Sequence, residues 1–277
     1  MLGLKPERFH LLLETVSQSV ALCGKQLIAD NSGALYWPGE HTLLVADLHL
    51  EKASAYAERG SFLPPYDTRQ TLMRLAEVID RYEPGRVIAL GDSVHDVSAA
   101  RRMAVEDLQI LRIMQEDREW IWLTGNHDPK IAPSLGGRAL DELSIGGIAL
   151  RHHPSAGGVT HEIAGHMHPA ARLSMYGYSI RRPCFVGNGR RLVMPAFGAY
   201  TGGLNVLDAA FEPLFAAIER ASRSTGTLIA LAFECQLFPE IPVAPCDSPA
   251  TRPTRGAILS PNARCSRNAG CATRSPM

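Results

Sequence analysis

Three apolar runs, His41-Thr-Leu-Leu-Val-Ala46, Arg86-Val-Ile-Ala-Leu90 and Trp120-Ile-Trp-Leu123, each lead straight into a cluster of Asp, Asn, His and Gly. Between the first two, Leu72, Leu75, Ala76 and Ile79 recur at helical spacing, with Asp67 or Thr68 where an N-cap is expected. Pro84-Gly85 closes that helix, and Ala99 to Asp117 reads as another. Strand, helix and strand in alternation predict an α/β layered domain with partly parallel pairing. In open α/β sheets ligands collect beyond the C-terminal ends of the strands, where these polar clusters fall.

The flanking sequence is consistent with this frame. Val20 to Ala29 reads as a hairpin turning at Gly24-Lys25. In the second half, Ile145 to Arg151, Glu162 to Ala164, Phe185 to Val186 and Leu192 to Met194 read as short strands between Gly-rich turns. They predict a second sheet packed on the first. The expected domain is 16–245, preceded by an extension of weak helical character over 1–15. A Pro/Ser/Arg-rich segment over 246–277 has little periodicity and is expected to be disordered.

Charge enters here. The chain carries 28 basic and 28 acidic residues, but Ser248 onward holds five arginines and no acid, leaving 23 basic against 28 acidic elsewhere. A negative body suits a carboxylate-rich site that binds cations. The six cysteines show no CxxC pair, which argues against a thiolate zinc site or a disulfide framework. No apolar run reaches the roughly 18 to 20 residues of a membrane span, and Phe9 to Leu13 is short for a signal peptide. The expectation is a cytoplasmic protein with no membrane partner.

Five clusters carry the chemistry. In Asp47-Leu-His49, residues i and i+2 of an extended backbone point the same way, so both can address one cation. In Gly91-Asp92-Ser-Val-His95-Asp96, one carboxylate with two oxygens can bridge two cations. Gly125-Asn126-His127-Asp128 offers an amide oxygen, an imidazole able to protonate a leaving oxygen, and a carboxylate able to orient that imidazole. Neighbouring strand residues face opposite ways, so one of His152 and His153 is expected to be a ligand, with His152 preferred. Gly165-His166-Met-His168 repeats the i, i+2 pattern. A lone DxH is more often a solvated turn and an HxH as readily one, whereas Gly125-Asn-His-Asp128 after a strand is considerably more specific. Five in one order, each at a strand end between Asp47 and His168, make coincidence a poor explanation.

This series resembles the calcineurin-like metallophosphoesterases, motif by motif, over roughly residues 40 to 200. The resemblance implies a sandwich of two mixed β-sheets flanked by helices, with a dinuclear metal site at the sheet edges. Carried onto this chain, one metal takes Asp47, His49, Asp92 and His168, and the other takes Asp92, Asn126, His152 and His166. His95, Asp96 and His153 stand behind or beside these ligands. Oxygen and imidazole donors suit manganese, iron or zinc without choosing among them. The implied chemistry is in-line attack on phosphorus by a hydroxide shared between two divalent cations, with His127 as the acid and Asp128 as its support.

Tyr36-Trp-Pro-Gly39, Asp47-Leu-His-Leu-Glu-Lys52, Leu63-Pro-Pro-Tyr-Asp67 and Met194-Pro-Ala-Phe-Gly-Ala-Tyr-Thr-Gly-Gly203 are similar to one branch, the bacterial ligase-associated DNA damage response phosphoesterases. That implies a manganese-dependent phosphodiesterase or DNA endonuclease in repair, beside a DNA ligase, an exonuclease and a helicase. Arg181, Arg182, Arg190 and Arg191, with Tyr176 and Tyr178 nearby, are candidate nucleic-acid contacts, a solvated hairpin being the plainer reading. Two other functions are weighed: hydrolysis of a small nucleotide or cyclic nucleotide, and a non-catalytic metal-binding scaffold for repair partners. Every ligand position is filled, which disfavours the scaffold.

Overall fold

The structure, a computed structural model, describes residues 17–156, 161–175, 178–219 and 229–232, all within the unit Met1–Val243. The extension expected over 1–15 and the tail expected over 246–277 lie outside the described residues.

A hairpin opens the first sheet, β1 (Ser17–Leu22) pairing antiparallel with β2 (Lys25–Asp30). Its turn is Cys23-Gly24, one residue earlier than the sequence suggested. Both have positive φ, 53° and 73°, as a two-residue turn needs to match strand twist. β3 (Leu35–Trp37) and β4 (Thr42–Val45) continue antiparallel. β5 (Arg86–Leu90), β6 (Glu119–Leu123) and β7 (Arg138–Leu140) then follow β4 in parallel, giving a seven-stranded mixed sheet.

Helices α1 (Lys52–Glu58), α2 (Asp67–Tyr82), α3 (Ala99–Arg102) and α4 (Val105–Gln115) connect the parallel strands. The single helix expected over 99–117 is therefore two. Met103 and Ala104 leave helical geometry (ψ 130° and 146°), and the Met103 side chain is buried in the core. Nor do Asp67 and Thr68 cap their own helix. Asp67 accepts from the backbone N–H of Ala53 at 3.0 Å, and the Thr68 hydroxyl accepts from Glu51 N–H at 2.8 Å, so α2 secures the first turn of α1.

The second sheet holds β8 (Glu142–Ile145), β9 (Ile148–Arg151), β10 (Glu162–Ala164), β11 (Pro169–Met175), β12 (Tyr178–Gly187), β13 (Arg191–Val193), β14 (Leu204–Asn205) and β15 (Ile229–Ala232). Its path is β14-β11-β12-β13-β10-β9-β8, with β15 paired to β12. The run expected as one strand over 145–151 folds back at Gly146-Gly147 into the β8/β9 hairpin. Among the described residues no helix is long and apolar enough to cross a membrane.

Period-two alternation explains why the central runs are apolar throughout. Leu43, Val45, Val87, Ala89, Trp120 and Trp122 face α2 and α4. Leu44, Ala46, Ile88, Leu90, Ile121 and Leu123 face the other sheet, against Ile148, Leu150, Ile163, Phe185 and Leu192. Burying the two faces of three parallel strands holds their C-terminal ends in a fixed row.

Candidate metal centre

All five clusters meet along that row and the facing edge of the second sheet. Asp47 and His49 leave β4, Asp92 leaves β5, and Asn126 follows β6, while His152 leaves β9 and His166 leaves β10. The pairs Asp47/His49 and His166/His168 do not converge by extended alternation, as the sequence reading assumed. All four sit at positive φ (53°, 45°, 69° and 44°), as does Asp92 at 48°. Left-handed backbone at non-glycine residues costs free energy and persists where the surroundings over-determine it.

Those surroundings are visible. Asp47 N–H donates to Gly91 O at 3.2 Å, His49 N–H to Asp92 O at 2.9 Å, and Gly198 N–H to Asp47 O at 3.1 Å. Two motif glycines are required by space. A Cβ on Gly91 would meet the His152 ring at 2.6 Å, and one on Gly125 would meet Asp92 Oδ1 at 2.3 Å.

Asp47 and Asp92 are 0% and 2% exposed. The crossing hydrogen bonds bind their inner oxygens: His166 N–H donates to Asp47 Oδ2 at 2.9 Å and His127 N–H to Asp92 Oδ1 at 2.8 Å. Their outer oxygens face nitrogens. Asp47 Oδ1 lies 3.1 Å from His168 Nε2, without hydrogen-bond alignment, and Asp92 Oδ2 lies 3.9 Å from His49 Nε2 and 3.3 Å from His152 Nε2. His152 Nε2 also stands 3.0 Å from Asn126 Oδ1 and 3.2 Å from His166 Nδ1.

The protons are largely assigned by chemistry. A carbonyl only accepts, so His152 Nδ1 donates to Leu90 O at 2.9 Å, His168 Nδ1 to Gly202 O at 3.2 Å and His127 Nδ1 to His95 O at 2.9 Å. In the neutral rings Nε2 is then left with its lone pair pointing into the site, the arrangement that orients imidazole metal ligands. Burial pushes His49 down to about 3 and His166 to about 4, keeping these rings neutral. For Asp92 burial acts upward, but contacts with His152 and the His127 N–H outweigh it and hold the carboxylate well below its usual range. Burial would lower His152 too, yet the Asp92 contact and the Asp47 charge raise it.

The donor set fits divalent cations. Three acceptors crowd within 3.0–3.3 Å of His152 Nε2, about the spacing of neighbouring ligands on one transition-metal ion. One proton cannot serve three acceptors, but a cation can. Asp47, His49 and His168 group on one side, and Asp47, Asp92 and His152 group between. With oxygen and imidazole donors alone, the set suits manganese, iron or zinc without choosing among them.

His153 is exposed, its ring 3.8 Å from that of His166, so of the adjacent pair it is His152 that faces the carboxylates. His95 packs 5.6 Å from the His49 ring and 5.0 Å from the His127 ring, and burial with the nearby His127 pushes it down to about 4.

Three placements correct the sequence reading. Asp128 does not orient His127. Its fully buried carboxylate accepts from the backbone N–H groups of Asp92 (3.0 Å), Ser93 (2.6 Å), Val94 (3.2 Å) and Gly125 (2.8 Å), clamping the loop that carries Asp92. Burial lifts that carboxylate to about 6, with the Asp92 charge adding to the effect and the N–H groups opposing it. Asp96 does not stand behind the ligands either; it pairs with Arg102 at 2.7 Å and accepts from Ser98 N–H. Arg191, offered for nucleic acid, is 1% exposed and paired with the fully buried Glu162 at 2.5 Å. Arg181 and Arg190 are exposed and Arg182 half-buried, while Tyr176 and the Tyr178 side chain lie outside the described residues.

Lys52 and Thr68 were missed. Lys52 Nζ donates to Tyr200 O at 3.0 Å, tying the start of α1 to the loop beside His168, and Thr68 steadies Glu51. Only the Glu51-Lys52 continuation of the first cluster hinted at the former; nothing local signalled the latter.

Among solved structures the chain is similar to the Pseudomonas putida nuclease MPE, with 30% identity and a TM-score of 0.58 over 77% of this chain and 96% of that one. Two others are the phosphoesterase YfcE of E. coli, 13% identical over 59% and 83% (TM-score 0.34), and the zinc complex of Vps29 from Entamoeba histolytica, 16% identical over 70% and 86% (TM-score 0.29). No family model matches the chain, and no curated protein does. A two-sheet sandwich with this donor set at its edge, beside that likeness, defines a hydrolase of phosphate ester bonds. The chain belongs to the calcineurin-like metallophosphoesterase superfamily.

Proposed function

We propose that the protein is a phosphodiesterase that cuts DNA as an endonuclease, with two divalent cations, manganese foremost, in ligase-associated repair. The observation that carries this reading is Asp92: its Oδ2 lies 3.9 Å from His49 Nε2 and 3.3 Å from His152 Nε2, so one carboxylate addresses a ligand of each of the two expected ions. The likeness to a nuclease over nearly all of that protein's length supports a nucleic-acid substrate. The ligase, exonuclease and helicase partners rest on the motif resemblance alone.

When bound, two cations supply an activated water and neutralise charge developing on the phosphoryl oxygens. The chain's own groups do the rest. Asp47, Asp92, Asn126, His49, His152, His166 and His168 hold the ions. Asp128 keeps the Asp92 loop in its left-handed turn. His127, its Nδ1–H fixed by the His95 carbonyl, presents Nε2 to the leaving oxygen and, as the imidazolium, donates the Nε2 proton there, returning to the neutral ring.

The deciding experiment is a metal screen of hydrolysis on supercoiled, linear and single-stranded DNA, beside mononucleotides, cyclic nucleotides and bis(p-nitrophenyl) phosphate. Manganese-dependent nicking of circular DNA, absent in Asp92→Ala, is expected. Turnover confined to the small esters would overturn the nuclease reading.

A further inference from the structure

The arginines around the second sheet do not share one place. Arg190 and Arg191 lie at the β12–β13 turn, which packs on the first hairpin through Cys23 N–H to Gly189 O at 3.0 Å. Arg191 pairs in register with Glu162, the first residue of β10, whereas the metal centre lies beyond the last. Both therefore sit at the far end of the sheet from the site.

Arg181 is different. A groove opens beside His168 and is lined by Ala170, Arg181, Pro183, Thr201 and Gly202. β11 leaves directly from His168, and Arg181 stands opposite Arg172, four residues along it, roughly 13 Å by strand rise. Arg181 is exposed and lines the groove. The opposite wall is pinned. Gly202 O accepts from His168 Nδ1, Leu204 N–H donates to His168 O at 2.9 Å, and the Thr201 hydroxyl donates to Gly198 O at 2.7 Å.

The groove thus has a cation-binding ligand at one end and a guanidinium at the other, with proline and alanine walls between. Fork-shaped guanidinium groups bind phosphate oxygens in pairs, and apolar walls accept a sugar and base without reading base edges. Resting on the nucleic-acid reading above, we propose that this groove holds the nucleotide on one side of the scissile phosphodiester and that Arg181 binds the phosphate next along the strand. Arg181 is then a positioning residue for a polymer rather than for a single ester.

The test uses the full chain loaded with manganese and three substrates: thymidylyl-thymidine, the same dinucleotide with a 5′ phosphate, and the same with a 3′ phosphate. One added phosphate is expected to raise kcat/KM about tenfold, the scale of one charge-assisted contact. Arg181→Ala should erase that increment through KM, Arg181→Lys should restore part of it, and Arg190→Ala should retain it. An increment that survives Arg181→Ala, or wild-type protein indifferent to both phosphates, overturns the inference while leaving the nuclease reading in place. If wild-type protein nicks circular DNA but hydrolyses none of the three dinucleotides, the inference falls alone; if it hydrolyses bis(p-nitrophenyl) phosphate and neither, the nucleic-acid reading falls and takes the inference with it.

Discussion

The strands of the first sheet bring the centre its two carboxylates, buried and held in left-handed turns, with the buried His49 imidazole and the exposed Asn126 amide beside them, whereas the second sheet brings only imidazoles, two of them half-buried. The charged donors all sit inside, while the neutral ones range from buried (His49, His152) to exposed (Asn126). The carboxylates can be kept there because the second sheet's His166 N–H binds Asp47, and the Asn126–His127 turn binds Asp92. A buried carboxylate without such partners would take up a proton instead. The difference implies that carboxylate changes disable the whole centre, while changes toward solvent act on one function at a time.

The severest break is Asp92→Ala, expected to abolish hydrolysis of an activated phosphodiester and to reduce bound metal in elemental analysis. Full activity with metal present would sink the shared-carboxylate assignment.

His127→Ala should cost about a hundredfold to ten-thousandfold on substrates with alkoxide leaving groups, and far less on p-nitrophenolate, which needs little protonation. Equal losses on both would remove the acid role.

Glu162→Gln probes the second sheet away from the centre. Removing one partner of this buried pair with Arg191 should lower unfolding stability by about 3–5 kcal/mol, measured by denaturant titration, with metal content of the folded protein unchanged. A neutral effect would mean that the pair does not hold the β10–β13 pairing.

Asp128→Asn turns an NH2 group toward backbone donors and should cost about tenfold to a hundredfold in metal affinity or activity. The loss should be the same for good and poor leaving groups, unlike that of His127→Ala. A leaving-group dependence would return Asp128 to the proton-transfer role.

Smallest is His153→Ala, expected to change metal-saturated kcat/KM by less than about twofold, since the ring is exposed and lies against His166. A loss as deep as that of His152→Ala would reverse the choice between the neighbours.

Much of this was legible in advance where the signal is local. The runs at β4, β5 and β6 are apolar because each packs on two layers, and that marks them as buried strands in any context. The donors after them are equally local, because a carboxylate or imidazole announces its chemistry by its identity. The turn geometry misled. Alternation along an extended strand seemed to aim Asp47 with His49 and His166 with His168, but positive φ does so. Asp67 and Thr68 looked like caps for the helix they begin and instead secure α1, which lies beside them only in three dimensions.

The sequence by itself determined the donor inventory, its order, and the strand ends that carry it, since residue type and short-range periodicity suffice for those. Only the tertiary structure decided that His152 rather than His153 faces Asp92, that Asp128 serves the loop rather than the imidazole, that Arg191 is spent inside the sheet, and that Arg181 lines the groove. Each of these depends on which distant backbone N–H, carboxylate or wall comes within hydrogen-bond or packing distance, as His166 N–H does for Asp47. That proximity is created by the packing of one sheet on the other.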